Sequence, residues 1–280
     1  MTTMAAEASM REVFTSTVSE ALDTYPDLAV VLADISADRF TEAAERHPSR
    51  VINVGIREQA LISVAGGLAL TGMRPVVHSI TPFLVERPFE QLKLDFNHQG
   101  VGAIAVSTGA SYDYPGAGRT HMAPGDVALL DTLPDWTVHV PGHPAEVSAA
   151  LRQAIPGNDR VYVRLSDRVN DEPHGLDAQV VRWGGRGVVV AVGPMLRPVL
   201  AATGMLDVTV VYMATVRPFD DALLRRAVRA STPDVVLVEP YLEGTSAHLV
   251  GNALIDVPHR LLSTGVRRDQ ELRAYGTADE

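Results

Sequence analysis

The chain has no cysteine, which excludes disulfides, zinc–thiolate sites, iron–sulfur clusters and cysteine nucleophiles. No apolar run reaches the ~18–20 residues that a membrane span needs. Residues 1–10 lack both the basic start and the apolar core of a secretory signal, so a cytoplasmic location is the default expectation. Runs of basic residues are missing as well. With a formal net charge of −10, neither a nucleic acid nor a membrane surface is an expected partner, and the acidity serves solubility.

With 46% hydrophobic and 21% charged residues, the chain reads as globular rather than disordered. Its 280 residues suit two domains, each able to bury a core. Segments 28–33, 51–54, 75–78, 101–106, 137–140 and 161–165 read as strands, because their apolar runs are short and continuous. Helical patterns fall between them, including an Ala/Gly-rich one at 58–70 and another at 83–97. The polar stretch 166–177 interrupts this alternation, which restarts after residue 184 with strands at 187–192, 208–212 and 235–238. The expected fold is α/β: two three-layer α/β/α domains with mainly parallel sheets, spanning 1–165 and 184–280 and joined by a linker at 166–183.

Three constellations stand out. In Ile52-Asn-Val-Gly-Ile-Arg-Glu-Gln59, a strand runs into a helix and leaves Glu58 at the helix start. Ligands of open α/β sheets bind at that end of the strands, yet an acid in a first helical turn also serves plain dipole complementarity. The long loop 107–124 holds Gly116-Ala-Gly-Arg-Thr-His121, where His121 is either a proton-transfer group or a structural histidine. Aromatics are only 5% of the chain, so Phe83 and Phe89 near one another draw attention. Phe83 offers a stacking face to a flat ring, while core packing is the default for both. Gly184-Gly-Arg-Gly187 precedes a strand instead of following one and is no dinucleotide fingerprint.

Taken together these residues resemble the transketolase family. The match runs through Asn53-Val-Gly-Ile-Arg-Glu-Gln59, Ala65-Gly-Gly-Leu-Ala69, Thr81-Pro-Phe-Leu84, Phe89-Glu-Gln91 and Gly118-Arg-Thr-His121. It continues in Val161-Tyr-Val-Arg164, Thr215-Val-Arg-Pro-Phe-Asp220, Val238-Glu-Pro240 and Tyr275-Gly-Thr277. The resemblance implies thiamine diphosphate as cofactor, with Glu58 activating its aminopyrimidine ring and Phe83, less strongly Phe89, packing on that ring. It implies that Asp34 lines the cofactor site, that His121 faces substrate and that Arg164 reaches a substrate phosphate. Ala117 stands where full transketolases carry an acidic residue, which puts an ordinary ketose-phosphate donor in doubt.

The family binds the diphosphate and its Mg2+ through Gly-Asp-Gly and a later Asn, and this sequence offers only Gly125-Asp-Val127. The expectation is therefore the small subunit of a transketolase-like transferase, active with a large subunit that carries Gly-Asp-Gly and Asn and binds the metal. An α2β2 heteromer acting on a small ketose or 2-oxo donor follows. Three alternatives stay open: the β subunit of a 2-oxo acid dehydrogenase, an acyl- or ketol-transferring subunit of specialised metabolism, and a non-catalytic partner-binding subunit.

Overall fold

The computed structural model describes residues 8–269. Most of the N-terminal lead-in and the Tyr275-Gly-Thr277 match lie outside these residues. Helix α1 (Met10–Thr24) starts with a reciprocal cap, in which Ser9 Oγ accepts the Glu12 N–H and the Glu12 carboxyl accepts the Ser9 N–H. Strands β1 (Leu28–Leu32), β2 (Val51–Asn53), β3 (Arg74–Ile80), β4 (Ala103–Thr108), β5 (Trp136–His139) and β6 (Arg160–Arg164) form a parallel sheet in the order β5-β6-β4-β3-β1-β2. Between them lie α2 (Thr41–Arg46), α3 (Glu58–Leu70), α4 (Phe89–Gln91), α5 (Asp126–Leu130) and α6 (Pro144–Ala154).

The continuous apolar strands are explained by cover on both faces. Leu28, Val30 and Leu32 point to a core shared with α1 and α6, whereas Val31 and Ala33 point to the opposite core with α3. β1 pairs β2 on one side and β3 on the other, so the strand order reverses at β1. The C-terminal edge of β1 is thus a topological switch point, where α/β sheets open a crevice for ligands.

The second unit contains β7 (Gln179–Arg182), β8 (Val188–Val192), α7 (Leu196–Ala202), β9 (Thr209–Met213), β10 (Thr215–Arg217), α8 (Asp221–Arg229), β11 (Asp234–Leu242), α9 (Ala247–Ala253) and β12 (Arg260–Val266). Its five-stranded sheet runs β12-β11-β8-β9-β7, with α7 on one face and α8 and α9 on the other. Two details depart from the sequence reading. β7, which falls at the end of the expected linker, pairs antiparallel with β9 as an edge strand. β10, expected in the second domain, crosses over and pairs antiparallel with β5 of the first sheet. One hydrophobic core runs through both units, from Val31 and Leu61 to Val190, Leu224 and Leu254. Among the described residues no helix is long and apolar enough to cross a membrane.

Candidate functional site

The C-terminal ends of the first sheet gather most of the residues singled out above. After β1 the chain turns through Asp34 and Ser36, both with positive φ (64° and 62°). Two side chains hold this strained turn. Asn53, at the end of β2, accepts the N–H groups of Asp34 and Gly55, each at 3.0 Å, and donates to Asp34 Oδ1 at 2.9 Å. Ser36 Oγ lies 2.9 Å from Nε2 of the buried His78. Burial pushes the His78 pKa down to about 3, so its ring is neutral. Its Nδ1–H then donates to the Val106 carbonyl at 2.7 Å, and Nε2 accepts the Ser36 hydroxyl.

Asn53 fixes the turn after β2 by the same contacts. Gly55 takes φ +71°, a conformation that costs glycine little, and the chain enters α3 at Glu58. Glu58 is 3% exposed, although its neighbours Ile56 and Arg57 are exposed. Its Oε1 lies 2.7 Å from Arg87 Nη1 in an ion pair. Arg87 follows β3 on a π-helical turn, Pro82–Glu86, closed by the Arg87 N–H to the Pro82 carbonyl at 2.9 Å. That turn places Phe83 and Arg87 on one face. The guanidinium carbon of Arg87 lies 4.0 Å from the centre of the Phe83 ring, on its face. His121 approaches the same ring edge to face, with centroids 5.1 Å apart, and its Nδ1 is 2.8 Å from Thr120 Oγ1.

Arg87 therefore bridges Glu58 and Phe83, His121 meets the same ring, and Asp34 is tied to the loop that delivers Glu58. Phe89 packs half-buried against the hydrophobic core. Arg164 does not join the group. Its side chain is 1% exposed, its Nε donates to Asp126 Oδ2 at 2.7 Å, and its Nη2 donates to Ser111 Oγ at 2.8 Å. Tyr162 donates to the same Asp126 oxygen at 2.6 Å. A guanidinium held this way braces the loop after β4, and it also lines a cavity at the joint of the two units.

That cavity, of about 290 Å3 between the two units, is lined by Arg164 together with Ser111, Asp113, Arg168, Glu239 and Gly265 among others. Burial, and then the nearby Asp167, push the Asp113 pKa up to about 7 against the pull of Arg164. Sequence reasoning missed Asn53 as the turn's anchor, Asp126 as the partner of Arg164, and Arg87. A signal existed for Arg87: it stands four residues after Phe83 and just before Pro88, between two stretches of the family match.

Comparison with known proteins follows this layout. Residues 6–170 match the family described as transketolase, pyrimidine binding domain, and residues 176–267 match transketolase, C-terminal domain. A Rhodococcoides fascians protein named "Uncharacterized 33.6 kDa protein in fasciation locus" is 57% identical over 271 residues, covering 95% of this chain and 87% of its own. A subunit of the apulose-4-phosphate transketolase of Actinobacillus succinogenes is 30% identical over 261 residues, covering 88% of this chain and 82% of its own. A solved structure described as "Split gene transketolase, inactive beta4 tetramer" superposes with a TM-score of 0.82 at 27% identity, covering 96% of this chain and 92% of its own.

Proposed function

The chain belongs to the transketolase family, and on that premise we propose that it is the pyrimidine-side subunit of a split thiamine diphosphate enzyme that transfers a two-carbon ketol or acyl unit. The observation that carries this reading is the buried Glu58 carboxyl at the switch point of the sheet, linked through Arg87 to an aromatic ring whose other neighbour is a histidine. A planar, nitrogen-bearing group, the Arg87 guanidinium, touches both Glu58 and the Phe83 ring. An aminopyrimidine is also flat and nitrogen-rich, so the residues present suit it.

When bound, thiamine diphosphate supplies the electron sink for breaking a bond beside a carbonyl. The chain's own residues have narrower tasks. Glu58 shares a proton with a ring nitrogen through its carboxyl oxygen. Phe83 supports the ring face, and Phe89 stays in the core. His121, at the edge of Phe83, faces substrate and gives or takes a proton there. Asp34 and Asn53 set the turns that deliver Glu58. Arg164, bound to Asp126, positions the loop that carries His121.

A partner supplies the diphosphate side. Supporting this are the missing Gly-Asp-Gly in the sequence, a relative named as one subunit of a transketolase, and a structural neighbour described as split. The 72%-exposed Ile56 beside Glu58 suits a rim that another chain covers. In this reading Mg2+ is held by the large subunit in an α2β2 heteromer. The test is reconstitution with a candidate large subunit, measuring cofactor binding and ketol transfer for each chain alone and for the pair. Glu58→Gln should assemble normally and lose nearly all turnover. Full activity from this chain alone, or near-normal turnover in Glu58→Gln, overturns the proposal.

A further inference from the structure

The Arg87 guanidinium makes the two contacts that the reading above assigns to the cofactor's aminopyrimidine. Its Nη1 lies 2.7 Å from Glu58 Oε1, and its plane-forming carbon lies 4.0 Å over the face of Phe83. These partners come from different elements, α3 and the turn after β3, so the arrangement is more than a local i,i+4 pair. A flat cation with several N–H donors sits against a carboxyl and an aromatic face, as a flat amidine-like ring would. Both groups cannot occupy that place together.

We propose that Arg87 is a placeholder for the aminopyrimidine: it fills the slot beside Glu58 and Phe83 in the cofactor-free subunit and swings out when the cofactor enters. This inference rests on the thiamine diphosphate reading and adds a step to it. The backbone at Arg87 stays put during the exchange. Its N–H is bonded to the Pro82 carbonyl, its own carbonyl accepts Gln59 Nε2 at 3.3 Å, and Pro88 follows. Only the side chain has to move. At 40% exposure it has solvent on one side to move into, and rotamer changes of such side chains are fast. As Arg87 leaves, the entering ring nitrogen takes over the Glu58 carboxyl, so the buried acid is not left uncompensated during the exchange. Until then, the buried Glu58 is never left unpaired while the subunit waits for cofactor or partner.

The test compares wild type with Arg87→Met and Arg87→Lys, each in complex with the large subunit. Calorimetry gives the affinity for thiamine diphosphate with Mg2+, and thermal melting is recorded with and without cofactor. Arg87→Met removes the competitor while keeping the stem, so the expected affinity gain is tenfold or more. Its cofactor-free complex should melt lower than wild type, because Glu58 loses its partner, and its loaded complex should melt like wild type. Arg87→Lys, which pairs with Glu58 as a point charge without a flat face, should fall between the two. Adding Glu58→Gln to Arg87→Met should cancel most of the gain.

Equal or weaker cofactor binding by Arg87→Met overturns the placeholder while leaving the cofactor reading intact. Melting that drops equally in the free and loaded complexes also overturns it, since that is the mark of a structural ion pair. A wild-type complex that binds no thiamine diphosphate overturns both.

Discussion

At the scale of single residues, the site divides into groups that local sequence reveals and groups that only the fold explains. Glu58 and Phe83 were legible because each begins or interrupts a pattern at a strand's C-terminal end. Arg164 was legible as an arginine but not as a braced one, since Asp126 is 38 residues away along the chain. Asp113 had no local signal at all. Its proton affinity comes from burial and from Asp167, which the loop brings near. Its pKa is about 7 in the fold, against an ordinary aspartate value of about 3.9 in the unfolded chain. Between those values the folded chain binds a proton that the unfolded chain does not. Asp113 therefore stabilises the fold at low pH, and that contribution is lost as pH rises through about 7. One such group gives a slope of at most ~1.4 kcal/mol per pH unit. Asp113→Asn should remove this slope, so its urea midpoint should gain on wild type steadily from pH 4.5 to 7. Parallel pH profiles for the two proteins would assign the titration elsewhere.

At the scale of elements, the strands were legible because double-sided burial writes continuous apolar runs. The helical pattern at 83–97 was legible too, but its geometry was not. It contains two π-helical stretches, Pro82–Glu86 and Leu92–His98, flanking α4. Pro88 has no N–H to give the ladder, and ahead of it the turn widens so that the Arg87 N–H reaches back five residues. That widening sets Arg87 over Phe83 and within reach of Glu58. β7 and β12 escaped because edge strands need no apolar run, only a neighbour: Arg260–Val266 alternates between exposed and half-buried positions until its last residue. The element bearing Glu58 is set against the π segment by a glycine. A Cβ on Gly66 would lie 2.9 Å from Asp95 Cβ and 3.0 Å from its carbonyl oxygen, while Ser63 Oγ bonds Asp95 Oδ2 at 2.6 Å. Gly66→Ala should push α3 away from this segment. The expected cost is roughly 1–3 kcal/mol, with weaker thiamine diphosphate binding by the assembled complex. Chemical denaturation and cofactor titration check both. An unchanged stability would mean that the segment yields freely.

At the scale of the whole molecule, the joint between the units was the least legible feature, because every contact in it is long-range. β10 leaves the second sheet to edge the first, Ser111 donates to the Pro240 carbonyl, and Asn170 donates to the Gly193 carbonyl at 3.1 Å. The most concentrated contact is Glu146 on α6, which is 1% exposed. Its carboxyl accepts the Gly142 N–H at 2.7 Å, the Tyr212 hydroxyl of β9 at 2.6 Å and the His174 N–H at 2.7 Å. It ties a helix of the first unit to a strand of the second and to the segment between them. Burial first, and Glu146 second, hold the Tyr212 hydroxyl far above its ordinary pKa, so it stays a donor. Glu146→Ala leaves the Tyr212 hydroxyl and the part-buried His174 N–H without this acceptor, while the Gly142 N–H keeps the Tyr212 oxygen at 3.1 Å. At about 1 kcal/mol for each of the two, the loss should be on the order of 2 kcal/mol. Glu146→Gln keeps a carbonyl acceptor and should lose less. Because the core is continuous across the units, wild type should unfold in one transition. In Glu146→Ala the second unit should loosen first, seen as faster amide exchange in β8 and β9 at conditions where β3 and β4 remain protected. Uniform loss of protection across both sheets would show that the units remain one cooperative block without this carboxyl.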